Sequence, residues 1–139
     1  MQSLISPLSP VITLVSRVFL SLIFILAGVG KIGAYGATAG YMESQGVPGI
    51  LLPLVIVLEL VGGLFLLAGY QARIVAFLLG GFSFLSGVLF HLLPSFGLEG
   101  FAAQAEVTQF MKNLALAGGL GYVVAHGAGS LSVDERLEK

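Results

Sequence analysis

Four apolar stretches separated by short polar segments leave this chain few folds to choose from. They run from Pro10 to Gly30, Ile50 to Gly69, Arg73 to Leu93 and Val107 to His126. Each is close to the roughly 20 residues that a helix needs to cross about 30 Å of hydrocarbon. None alternates with period two, so a membrane β-barrel is not expected. Helices satisfy their own backbone hydrogen bonds in lipid, and the sequence therefore predicts an all-α bundle of four transmembrane helices. Composition agrees: 57% of residues are hydrophobic and 9% charged, against about 25% charged in ordinary soluble domains. The lipid bilayer is the expected solvent, and the 139 residues form one domain.

The same numbers exclude other classes. A net charge of −1 gives no basic surface for nucleic acid. The absence of cysteine excludes disulfides, thiol redox chemistry and a cysteine-held iron–sulfur cluster. The first apolar segment lacks a basic region before it and a cleavage site after it, so it is expected to be retained.

Gly28, Gly30 and Gly33 spell a Gly-x-Gly-x-x-Gly. A dinucleotide fingerprint needs a strand before it and a helix after it, whereas this one ends an apolar helix. It is not a phosphate loop either, because Ile25 replaces the first glycine and Ile32 the Ser or Thr after Lys31. The expected role is a helix end at the membrane surface, with Lys31 snorkelling to the headgroups.

Basic residues set the orientation. Arg73, Arg136 and Lys139 fall on one side with the N-terminus, and Lys31 on the other. The positive-inside rule then places both termini in the cytoplasm. The outer side holds segments 32–49 and 94–106, and Ala37 to Gln45 in the first suits a short interfacial helix stopped by Gly46-Val47-Pro48. The tail from Asp134 to Lys139 is expected to be solvated.

Polar groups inside the spans are the candidate site. Arg17, Glu59, Lys112 and Asn113 each lie within an apolar segment. An ionisable group there costs about 2.5–3.5 kcal/mol, so each should face the bundle interior and find a partner. Helical rise places Arg17 and Lys112 within reach of Glu59, which predicts a pair between Glu59 and one or both of them. Stripes of Thr13, Arg17, Ser21 and Gly28, of Glu59, Gly62, Gly63 and Leu66, and of Gly80, Phe84, Gly87 and His91 mark the inward faces. Gly28, Gly62 and Gly63 are read as packing positions. His91 and His126 lie near opposite ends of their helices and cannot share a haem, and no spacing suggests a metal site. His91 and Gln109 fall at similar depth near Lys112 and extend the candidate ligand-binding set, while His126 reads as a solvated helix end.

Several motifs in order then resemble a known family. They are Arg17-Val-Phe-Leu, Gly28-Val-Gly-Lys31, Tyr41-Met-Glu-Ser-Gln-Gly46-Val-Pro48, Leu58-Glu59-Leu-Val-Gly-Gly63, Leu67-Ala-Gly69, Met111-Lys112-Asn113-Leu-Ala and Gly129-Ser-Leu-Ser-Val-Asp134. Together they resemble the DoxX group of small four-helix bacterial membrane proteins, related to the DoxD subunit of thiosulfate:quinone oxidoreductase. The resemblance implies a bacterial inner-membrane protein in an oxidoreductase system, with quinone as the electron acceptor. The chain departs from quinone-linked four-helix enzymes that use a Cys-x-x-Cys. No intrinsic cofactor is therefore expected, and a quinone or a redox partner subunit must carry the electrons. On this reading Glu59 and Lys112 are the candidate catalytic groups and Arg17, Asn113, His91 and Gln109 bind the ligand. A Gly-rich helix face would permit a homodimer. The alternatives are a small carrier of a polar or anionic solute, and a non-catalytic scaffold whose ion pairs fix helix register.

Overall fold

A computed structural model describes residues 6–139; the N-terminus expected in the cytoplasm lies outside the described residues. Helix α1, Ser9–Gly33, is preceded by a 3₁₀ turn, Ser6–Leu8, and carries Pro10 in its first turn, where the missing N–H is no loss. Helix α2, Tyr35–Ser44, follows after Ala34 alone. Helix α3 spans Leu52–Ala68 and helix α4 spans Ala72–Gly87. Helix α4 runs on through a π-helical turn, Val88–Leu92, into a last α turn, Leu93–Ser95. Helix α5, Gly100–His126, is the longest, and a short helix α6, Val133–Leu137, lies in the tail. The described residues contain no strand.

Two boundaries differ from expectation. Gly30 does not end α1, which continues to Gly33. Helix α5 begins at Gly100, well before Val107, because Phe101 to Glu106 favour helix although they are too polar for a hydrophobic span. Hydropathy finds the part of a helix that suits lipid, and helical propensity continues past it.

Helices α1 and α3 form one closely packed pair, and α4 and α5 the other. Helices α3 and α4 join the pairs, whereas α1 and α5 barely touch. Glycine permits the closest approaches. A Cβ on Gly63 would lie 2.8 Å from Ile25 Cγ1, and one on Gly28 would lie 3.0 Å from Leu60 Cβ. These two contacts set the antiparallel register of α1 against α3. Phe24, Leu66, Val75, Ala76, Leu79 and Leu120 fill the middle of the bundle.

Polarity is inverted relative to a soluble bundle. Arg17, Ser21, Glu59 and Ser83 are buried, while Phe19, Leu26, Leu54 and Phe77 are exposed. Helices covering Ser6–Gly33, Gly49–Ala68 and Ala72–Ser95 are long and apolar enough to cross a membrane. Charged and hydroxyl groups turned inward from an apolar exterior are what lipid selects.

The tail packs through Ala128, Ser132 and Asp134 on the end of the bundle where α3 meets α4, whereas Arg136 to Lys139 are exposed, as expected of a solvated segment. Asp134 Oδ1 accepts the Gln71 N–H at 2.7 Å and Oδ2 accepts the Ala72 N–H at 2.8 Å. This carboxylate caps α4 and holds Gln71 at φ 48°, a left-handed conformation in which a non-glycine residue needs support. Arg73 Nη1 donates to the Val124 and Ala125 carbonyls, both at 2.8 Å, at the C-terminal end of α5. His126 is exposed and stacks on Tyr122 with ring centroids 5.2 Å apart.

Candidate functional site

A cavity of about 290 Å³ lies between the two helix pairs, towards the end of the bundle away from the tail. Its walls are mostly apolar and aromatic, with Phe24 from α1, Met42 from α2, Val55 from α3, Phe82 and Phe90 from α4 and its π turn, and Leu116 from α5. Into it project Lys31, Glu59, Ser83, His91, Lys112 and Asn113. A largely apolar chamber with a few convergent polar groups is the usual form of a small-molecule site.

The partner of Glu59 is Lys31, not Arg17 or Lys112. Lys31 Nζ lies 2.7 Å from Glu59 Oε2. The register between α1 and α3 explains the correction: with Gly63 against Ile25 and Gly28 against Leu60, Lys31 comes level with Glu59. Lys31 is thus turned into the bundle instead of snorkelling to the surface.

Arg17 lies at the other end, about 21 Å along α1 by helical rise. Its Nε donates to the Leu67 carbonyl at 3.2 Å, Nη1 to Ala128 and Nη2 to Leu131 at 2.7 Å. The guanidinium fork ties α1 to the end of α3 and to the tail, and it lies outside the cavity. Gln109 is exposed and does not line the cavity; its backbone carbonyl accepts from Asn113 Nδ2 at 3.0 Å. Phe84 is also exposed, and Ser83 takes the inward position beside it. Gly28, Gly62 and Gly63 are buried at helix contacts, against Leu60, Leu79 and Ile25.

Three features escaped the sequence reading. The Ser83 hydroxyl is buried against the cavity with no hydrogen-bond partner among the described residues. The spacing of Gly80, Ser83 and Gly87, three and four residues apart, was the available signal for this small-residue face. Glu106 Oε2 lies 2.7 Å from His91 Nδ1. Tyr41, on α2, packs its ring against Phe90 at 5.7 Å between centroids and donates its hydroxyl to the Phe90 carbonyl at 3.4 Å. The Tyr41 hydroxyl titrates above its ordinary value, first through desolvation and second through the nearby Glu106 carboxylate.

Lys112 is exposed, contrary to the expectation of a buried and partnered residue, and is in no ion pair among the described residues, although it lines the same chamber as the Lys31–Glu59 pair. The cavity thus offers a free ammonium, an unused hydroxyl and an acid–base pair around one apolar space. Among the described residues no group of histidines and carboxylates could hold a metal ion.

Comparison with known proteins gives consistent relatives. The DoxX family profile matches residues 12–92. Inner membrane protein YqjF of Escherichia coli (strain K12) is 43% identical over 126 residues, covering 91% of this chain and 92% of that protein. Inner membrane protein YphA of the same organism is 30% identical over 129 residues, covering 91% of each. No solved structure matches.

Proposed function

The chain belongs to the DoxX family of integral membrane proteins, and on that footing we propose that its cavity binds the ring of a lipid-soluble quinone within an inner-membrane oxidoreductase system. All four long helices span the membrane in this reading. Helix α5 is about 40 Å long by helical rise and packs along α4, which supports a fourth crossing. Arg73 and the tail with Arg136 and Lys139 share one end, which the positive-inside rule assigns to the cytoplasm. Helix α2 then lies at the outer surface, over the cavity. The relatives named as inner membrane proteins of Escherichia coli support that membrane.

The observation that carries the proposal is the unused Ser83 hydroxyl facing the same chamber as the unpaired Lys112. Buried polar groups are nearly always satisfied, so an orphaned hydroxyl in a cavity wall marks the place of a missing partner. Lys112 and Ser83 would donate to ring carbonyl oxygens, and Phe24, Phe82 and Phe90 would enclose the ring. A volume of about 290 Å³ holds a ring but not a long tail. The sparse contact between α1 and α5 would leave that tail an exit into lipid. A bound quinone would supply the electron- and proton-accepting chemistry. Lys31 and Glu59 would hold a proton beside it, and a partner subunit would deliver electrons.

Mass spectrometry of molecules that copurify with the detergent-extracted protein tests this. A quinone enriched over bulk lipid, and lost in Lys112→Met, supports the site. Absence of enrichment in folded protein rejects it. The free ammonium of Lys112 also favours a second reading, a carrier for an anionic solute, which would show solute flux in liposomes where the quinone site would show none.

A further inference from the structure

His91 is the cavity residue with a second polar connection leading outward. The π-helical turn Val88–Leu92 contains it. Such turns insert an extra residue into a helical turn and occur often at functional sites. Here the turn lies where His91 lines the cavity on one side and meets Glu106 of α5 on the other, with 2.7 Å between Nδ1 and Oε2. Glu106 itself does not line the cavity, and its side chain is 32% exposed, against 27% for His91. The ring therefore stands between the chamber and a carboxylate that is partly exposed. With Nδ1 engaged by Glu106, Nε2 has no hydrogen-bond partner among the described residues.

We propose that His91 and Glu106 form a proton port, through which the cavity exchanges protons with the water outside the membrane. The inference rests on the ligand-site reading above for its use, since a site that reduces or oxidises a quinone must move protons. In the outward direction Nε2 takes a proton from the cavity while Nδ1 gives its own to the Glu106 carboxylate, which releases it to water. An O–H or N–H bond of the donor in the cavity breaks as one N–H bond forms at Nε2. One N–H bond breaks at Nδ1, an O–H bond forms and then breaks at Glu106, no electron moves, and rotation of the ring resets it. The same bonds run in reverse for entry. The charged and titratable groups around the ring are Glu106 and Lys112 from α5, Lys31 from α1, Glu59 from α3 and Tyr41 from α2. Among the described residues, Glu106 is the carboxylate within ion-pair distance of the ring.

A structural tie between α4 and α5 predicts something different. Glu106→Gln keeps an oxygen that accepts the Nδ1–H, so it preserves the tie, but its amide cannot take the proton. The test follows hydrogen–deuterium exchange of the Glu59 carboxyl by infrared spectroscopy in liposomes holding the full chain. The liposomes are equilibrated in light water acidified until the carboxyl band appears and then moved to heavy water of the same acidity, and the band is assigned by its loss in Glu59→Gln. Exchange should slow by about 100-fold in Glu106→Gln, the low end of what a positioned acid–base group contributes. His91→Phe should slow it similarly, and added imidazole should restore it in that variant. Exchange at the wild-type rate in Glu106→Gln overturns the port. The two readings separate cleanly: exchange that stalls without quinone enrichment keeps the port and removes the quinone site, and the converse removes the port alone.

Discussion

Lys31 and Glu59 meet at 2.7 Å inside the bundle, one from the last turns of α1 and the other from the middle of α3. The carboxylate side chain is 6% exposed and the lysine 27%, so the two partners are not equivalent. Lys31→Met leaves a nearly enclosed carboxylate without its cation and should destabilise the fold by about 3 kcal/mol, the low end for breaking a buried pair. Glu59→Gln should be milder, because the amide oxygen still accepts from Lys31. Lys31→Met combined with Glu59→Leu should recover much of the loss. Denaturant unfolding in micelles measures these and Glu59→Leu alone, and effects of Lys31→Met and Glu59→Leu that add within about 0.5 kcal/mol in the double variant would show that the pair is not coupled.

Arg17 makes three backbone contacts that no other residue type can reproduce together. A planar fork reaches the Leu67, Ala128 and Leu131 carbonyls at once, whereas an ammonium is a single point of donation. Arg17→Lys should therefore fail to rescue the fold and cost about 2 kcal/mol or more, since hydrogen bonds from charged donors are worth about 1.5–3 kcal/mol each. The effect should be local to the tail. Protease access to residues 127–139 should rise in Arg17→Lys, and a tail as protected as in wild type would count against this role.

What the sequence made legible follows from which physical signals are one-dimensional. The helical class was readable because lipid demands long apolar runs. The inward faces of α1 and α3 were readable because Arg17, Ser21 and Gly28, and Glu59, Gly62, Gly63 and Leu66, recur at helical spacing, and all of these are buried. The pairing of Glu59 was not readable. Depth estimates assumed that neighbouring spans lie level, but the Gly63–Ile25 and Gly28–Leu60 contacts offset α1 against α3. That offset brings Lys31 to Glu59 and carries Arg17 down to Leu67. The His91–Glu106 contact was hidden for a related reason: Glu106 lies outside any apolar window, and the π turn at Val88–Leu92 breaks the regular spacing.

Asp134 links the tail to the hairpin between α3 and α4 through two short hydrogen bonds to Gln71 and Ala72. Asp134→Ala removes the cap of α4 and should cost about 1 kcal/mol, typical of a lost N-cap, with a further penalty because Gln71 loses the support for its positive φ. Gln71→Gly should relieve that strain and restore part of the stability in the Asp134→Ala background. Thermal unfolding of the single and double variants decides it, and equal losses with and without Gln71→Gly would separate the cap from the backbone conformation.

Tyr41 gives the fold a dependence on alkaline pH. Its hydroxyl titrates above the ordinary value of 10.0 because burial disfavours the phenolate and the Glu106 carboxylate repels it. The folded state therefore holds the proton more tightly than the unfolded state. Stability from this group is complete below the unfolded value and falls as pH rises from there through the folded value. Deprotonation also removes the donor to the Phe90 carbonyl, loosening α2 from the π turn above the cavity. Tyr41→Phe keeps the ring contact with Phe90 but has no proton to lose. Its unfolding should be less sensitive to pH above 10.0 than that of the wild type. Identical alkaline profiles for the two proteins would show that Tyr41 titrates alike in both states.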